Sequence, residues 1–365
     1  MITRICLDCP PTLALFAPRF PGWIPPTLVF AGALGMTLFA AAQYTRLLER
    51  LTEYEHFSLE LLGFLGALGA NIPNYVAALA AFFGGHGLLG IGIIVGSNIY
   101  NVAVILALAA LAPPGRSGIV LGKLVAHEVR YLAWLVAFMG GTLFVLVLLG
   151  ASLLPGYQEV QVLLPLLIIG LFVLVVRDAL RASPRAETEK ASENLHHGQS
   201  GSQQVAVAAA GEDDAPPLPI RTILLAMLAL GITLFGVVVM VQAAQMSATE
   251  LQLSSVILSL VVLAVATSLP NTVVAYQLAR TEGGTTSVEE ILSSNAINLT
   301  LGVAVPLLLW PMRVHAGLLT ELDVPLLAAL GLCVVAFVYT RRIPRWAGLG
   351  LFAVYAAWIG LHLLL

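Results

Sequence analysis

The chain has 365 residues, of which 59% are hydrophobic and only 10% charged, with a formal net charge of −3. Soluble globular chains are roughly 45–50% apolar and about 25% charged, and the mean hydropathy here is +0.94. That composition excludes a water-soluble fold and gives no basic surface for nucleic acid. The solvent for most of this chain is lipid.

A membrane-crossing helix needs about 20 mostly apolar residues to span roughly 30 Å of hydrocarbon. Residues 1–24 come before any such run and are read as an N-terminal tail. Cys6 and Cys9 form a CxxC there, but no second Cys or His pair completes a zinc site, and the proline-broken stretch after Arg4 does not read as a signal peptide. In chain order, spans are then predicted at residues 25–44, 58–83, 88–111, 131–153 and 160–176, and again at 220–241, 251–279, 287–310, 322–339 and 346–364. These make ten helices.

Between the two sets, residues 181–219 are rich in Ala, Ser, Gln, Gly and Pro and include the acidic run Glu212, Asp213, Asp214. Such a segment cannot bury enough apolar surface to offset its ordering entropy, so a disordered linker is predicted. His196 and His197 read as a solvated pair within it. The linker leaves one five-helix unit at residues 25–180 and another at 220–365.

Cytoplasmic loops hold an excess of Lys and Arg. With the N-terminus outside, ten alternating spans put fourteen basic residues in inside loops and leave only Arg4, Arg19 and Arg313 outside. Both termini are therefore expected to face out and the linker to be cytoplasmic, in a plasma (inner) membrane.

The two sets of helices repeat each other. Helix two contains Ala67-Leu-Gly-Ala-Asn71-Ile-Pro73-Asn74 and helix seven Ala264-Val-Ala-Thr267-Ser268-Leu-Pro270-Asn271. The following helices contain Gly96-Ser97-Asn98-Ile-Tyr-Asn101 and Ser293-Ser294-Asn295-Ala-Ile-Asn298. Asn74 and Asn271, Ser97 and Ser294, and Asn101 and Asn298 are each 197 residues apart. A repeat with an odd number of spans must re-enter the membrane inverted, and the interface of inverted repeats near the midplane is where transporter sites form.

Pro73 and Pro270 fall inside apolar spans, where each removes a helical hydrogen bond and frees a carbonyl. Such carbonyls are tolerated in lipid where they line a cavity, so both prolines are expected to mark helix breaks. Asn71 and Asn74 share a face of helix two, as Thr267, Ser268 and Asn271 do on helix seven. Ser97 with Asn101, and Ser294 with Asn298, are i, i+4 pairs on the partner helices. Any one of these residues could serve as hydrogen-bonding glue between helices. Packing alone, however, does not call for the same polar set at one offset in both halves.

The pattern resembles the two alpha repeats of the sodium/calcium exchanger superfamily, in which a Gly-Thr-Ser-Leu-Pro-Glu block is followed by Gly-Ser-Asn-Ile-Phe-Asn or Asp. The resemblance implies an all-α polytopic membrane protein of ten transmembrane helices in two inverted five-helix repeats, acting as a secondary cation antiporter, with no enzyme activity and no cofactor. It also implies that Asn71, Asn74, Ser97, Asn101, Thr267, Ser268, Asn271, Ser294 and Asn298 line a cation site. This chain departs from the family at Asn74 and Asn271, where calcium-transporting relatives carry glutamate, at Asn298, where an acid often stands, and at Ala70, where a hydroxyl is usual. At about 4 Å and an effective dielectric near 20, one carboxylate attracts a divalent ion by about 8 kcal/mol before desolvation. A neutral site therefore points to a monovalent cation or weak divalent binding; sodium, proton and calcium all remain open.

Glu290 lies one turn before Ser294 and reads either as a gate at the site's entrance or, with Ser287, as a capping box at the helix start. Glu128 reads as part of a solvated loop. Two other functions fit the missing carboxylates: a non-transporting scaffold or sensor that keeps the fold, and a carrier of a small neutral solute.

Overall fold

The computed structural model describes residues 22–51, 68–113, 118–122, 125–151, 157–179, 220–254, 257–281, 284–314 and 317–364. The readings of Cys6, Cys9, His196, His197 and the linker fall outside them. Ten helices account for nearly all of these residues: α1 (Ile24–Leu51), α2 (Ile72–Phe83), α3 (Gly87–Leu111), α4 (Val125–Ala151) and α5 (Tyr157–Ala179), then α6 (Ile220–Glu250), α7 (Leu258–Arg280), α8 (Gly284–Leu309), α9 (Leu319–Thr340) and α10 (Arg345–Leu364). Among the described residues nine are long and apolar enough to cross a membrane, and α2 is a shorter apolar helix.

Several helices outrun their apolar windows. α1 continues past residue 44 and α6 past residue 241, through Arg, Glu, Gln and Met residues that favour helix whatever their hydropathy. α4 starts at Val125, so Glu128 occupies its first turn and not a loop, where a carboxylate complements the helix dipole.

The two prolines are placed differently. Asn71 forms a turn (φ −91°, ψ −3°) between helical residues 68–70 and α2, and Pro73 then sits in the first turn of α2, where its missing N–H leaves no bond unmade. Pro270 lies inside a continuous α7, whose irregularity is a π-helical turn upstream at Leu258–Leu263. Both prolines were expected to mark breaks; only the first repeat is interrupted, and at Asn71. Further π-helical turns follow directly on Asn101 in α3 (Asn101–Ile105) and close behind Asn298 in α8 (Thr300–Ala304).

Copies of the repeat pack on one another: α1 lies along α6, and α4 along α9. Among the described residues, contacts between connections fall into two groups, as alternate crossings require. In one, β1 (Ile119–Val120), between α3 and α4, pairs antiparallel with β2 (Arg342–Ile343), between α9 and α10, with Ile119 opposite Ile343. Gly118 has φ +72°, and a Cβ there would strike the Ile343 carbonyl. Arg345 Nη2 donates to the carbonyls of Leu111 (3.0 Å) and Pro113 (2.7 Å), closing the end of α3. In the other, Phe83 stacks edge-on against Trp310 at 4.5 Å, and the Arg313 guanidinium lies 5.1 Å from the Tyr157 ring.

α3 is almost wholly enclosed and α8 nearly so, while α5 turns Leu163, Leu166 and Val173 outward to lipid. α3 meets α7 through Gly92 and Gly96. A Cβ on Gly96 would strike the Leu260 backbone, and one on Gly92 the Ser259 hydroxyl. Small residues of this kind let helix backbones approach where there is no hydrophobic drive to hold them together.

Candidate functional site

The turn at Asn71 aims its side chain at the second repeat. Asn71 Oδ1 accepts from Asn271 Nδ2 of α7 at 2.8 Å and from Asn74 Nδ2 of α2 at 3.4 Å. Asn71 Nδ2 donates to Ser294 Oγ of α8 at 2.9 Å. Asn74 Oδ1 in turn accepts from Ser268 Oγ of α7 and Ser97 Oγ of α3, each at 3.4 Å. Four helices thus meet at Asn71 and Asn74, and Ser97, Ser268, Asn271 and Ser294 have no solvent exposure.

A second set lies one turn along α3 and α8. Asn101 Nδ2 donates to Asn295 Oδ1 at 2.8 Å, and Asn298 Nδ2 donates to Asn98 Oδ1 at 2.9 Å. These two bonds are copies of each other under the 197-residue offset, as are the Asn271 to Asn71 and Ser268 to Asn74 bonds. Thr267 stands apart: its Oγ1 donates to the carbonyls of Leu263 (2.8 Å) and Ala264 (3.3 Å) in its own helix. It reaches the cluster only through the Ala264 carbonyl, which also accepts from Ser97 Oγ at 3.4 Å.

Glu290 does not cap α8. The helix begins at Gly284 with no acid in its first turn, and Ser287 Oγ donates to the Ala275 carbonyl of α7 at 2.8 Å. Glu290 Oε1 instead accepts from Ser294 Oγ at 2.9 Å, so the carboxyl joins the cluster directly. The site set is therefore not wholly neutral.

The amide groups share a bias. Asn101, Asn271 and Asn298 each direct N–H toward a neighbouring asparagine oxygen, and their own Oδ1 atoms are buried without a donor, as is Glu290 Oε2. Leaving a buried polar atom unsatisfied costs about 1–3 kcal/mol. Here four oxygens, all acceptors, share that state in one region.

The sodium/calcium exchanger protein family model matches residues 25–177 and 221–364. The chain belongs to the sodium/calcium exchanger family. It is thus an integral membrane cation antiporter, not an enzyme. Native YfkE matches with a TM-score of 0.64 at 16% identity, over 92% of each chain. The sodium-calcium exchanger NCX_Mj, soaked with 10 mM Na+ and zero Ca2+, matches with a TM-score of 0.59 at 20% identity, over 93% of this chain and 99% of that one. At such identities the likeness is one of fold. No curated protein sequence matches it.

Two features escaped the sequence reading. Asn98 and Asn295 stand within the quoted blocks, yet neither belongs to the i, i+4 pairs that singled out their neighbours. In α9 and α10, buried Asp323 accepts from Trp358 Nε1 at 2.7 Å and lies 3.2 Å from His362 Nε2. No periodicity connects residues that far apart in the chain.

Proposed function

We propose that the transported cation binds among the Asn and Ser side chains where α2, α3, α7 and α8 meet, and that the site takes a monovalent ion in preference to a divalent one. The observation that carries this reading is the set of buried Oδ1 atoms of Asn101, Asn271 and Asn298 left without donors while their amide N–H groups bond inside the cluster. Neutral carbonyl-type oxygens suit a singly charged ion, and such groups at helix breaks coordinate sodium in other transporters. Asn74 and Asn271, in place of the glutamates of calcium-transporting relatives, take away the attraction a divalent ion requires.

The test is ion flux in proteoliposomes, screened across sodium, potassium, proton, calcium and magnesium gradients. A sodium- or potassium-driven exchange that Asn271→Ala reduces at least tenfold is the expected result. Flux of no ion would favour the scaffold reading, and flux indifferent to Asn271→Ala would place the cation elsewhere.

A further inference from the structure

Glu290 breaks the repeat. The residue 197 positions earlier is Ile93, fully buried in α3, so the first half has no counterpart of this carboxyl. Glu290 Oε1 receives the Ser294 hydroxyl at 2.9 Å, and Ser294 Oγ receives Asn71 Nδ2 at 2.9 Å. Asn71 Oδ1 receives Asn271 Nδ2 at 2.8 Å, so a continuous chain of bonds runs from the carboxyl to the cluster's centre. At its two ends lie Glu290 Oε2 and Asn271 Oδ1, both buried without a donor. Among the described residues no Lys or Arg forms an ion pair with Glu290. An ionised carboxylate taken out of water is costly unless an opposite charge accompanies it. In this position the partners open to it are a proton and the cargo.

We propose that Glu290 is the single charged ligand of the cation site and that one carboxylate, present in one repeat only, matches the site to one monovalent cation of the sodium type. This inference rests on the reading of the asparagine cluster as the cation site. A site with one negative charge is neutralised by a single monovalent ion and left with excess positive charge by a divalent one. Asn271 then acts as a neutral oxygen ligand through its Oδ1, and Ser294 orients the carboxyl.

The experiment is thermal unfolding of the purified full chain in detergent, with sodium chloride or calcium chloride titrated against choline chloride at constant ionic strength. The unfolding midpoint should rise saturably with sodium and much less with calcium. Glu290→Gln keeps the acceptor for Ser294 and removes the charge; its half-effect sodium concentration should rise at least tenfold. An equal response of Glu290→Gln and the parent would overturn the role of Glu290 while leaving the cation site standing. A parent that responds to no cation would overturn the site itself. Asn298→Asp supplies a check that does not need Glu290→Gln to fold: a second negative charge should shift the preference from sodium toward calcium. An unchanged ratio of the two responses would refute the matching of charge to valence.

Discussion

Asn74 and Asn271 both donate to one oxygen, that of Asn71. Carboxylates placed at both positions would therefore stand close enough to share an ion. Asn74→Glu with Asn271→Glu should create or strengthen divalent binding, since two attractive contributions of several kcal/mol each return to a retained geometry. Either change alone should do less. The check is the unfolding midpoint against calcium concentration; a destabilised double variant that calcium does not rescue would refute the site. Asp323 leads to a different expectation, because it holds Trp358 and His362 together inside the α9–α10 contact. Asp323→Ala would leave the buried indole N–H without its acceptor, at a cost of about 1–3 kcal/mol, and should lower the unfolding midpoint without altering which ion stabilises the protein. At this scale the sequence disclosed the residues whose copies stand at the 197-residue offset. It could not disclose Glu290's partner, because the bond to Ser294 depends on where α8 begins, nor the Asp323 cluster, which has no copy and no period.

At the scale of the helix, spans were legible wherever apolar length decided them, and the ends were not. α1 and α6 continue through polar residues that a hydropathy window rejects but helix propensity accepts. The break that the sequence suggests at Pro73 belongs to Asn71, since a proline just inside a helix start is compatible with an unbroken first turn. The close approach of α3 to the π-helical turn of α7 is likewise invisible in sequence. It depends on Gly96, where a Cβ would strike backbone and no side chain can yield. Gly96→Ala should push the two helices apart, destabilise the protein by about 1–3 kcal/mol as overpacking does, and weaken cation stabilisation at the same time. A Gly96→Ala protein with unchanged melting and unchanged sodium response would show that this contact does not set the site.

For the whole molecule, the alternation of connections between two faces agrees with ten crossings: β1 with β2 on one side, Phe83 with Trp310 on the other. The absolute orientation is an expectation from the basic residues, fourteen of which the ten-span reading assigns to the β1–β2 side. Both termini are expected outside and residues 181–219 inside. Single cysteines introduced into that segment should resist an impermeant thiol reagent in intact cells, and labelling from outside would reverse the orientation. Length, helix count and the inverted halves were all readable from hydropathy and one offset, since they depend on solvent and on chain order. What lay beyond reach was the depth of each group and the company it keeps.

A carrier made of two identical inverted halves would look the same from either side of the membrane, and its two open forms would be mirror states of equal energy. Ile93 and Glu290 remove that equality. The Glu290 backbone lies about 6 Å from that of Ser294 along α8, on the β1–β2 side, by the rise of four residues. The molecule is thus asymmetric along the membrane normal, because only one repeat places a carboxyl in bonding contact with the cluster. Half-saturation for the same ion should therefore differ between the two faces, and exchanging the pair as Ile93→Glu with Glu290→Ile should invert the sense of that difference.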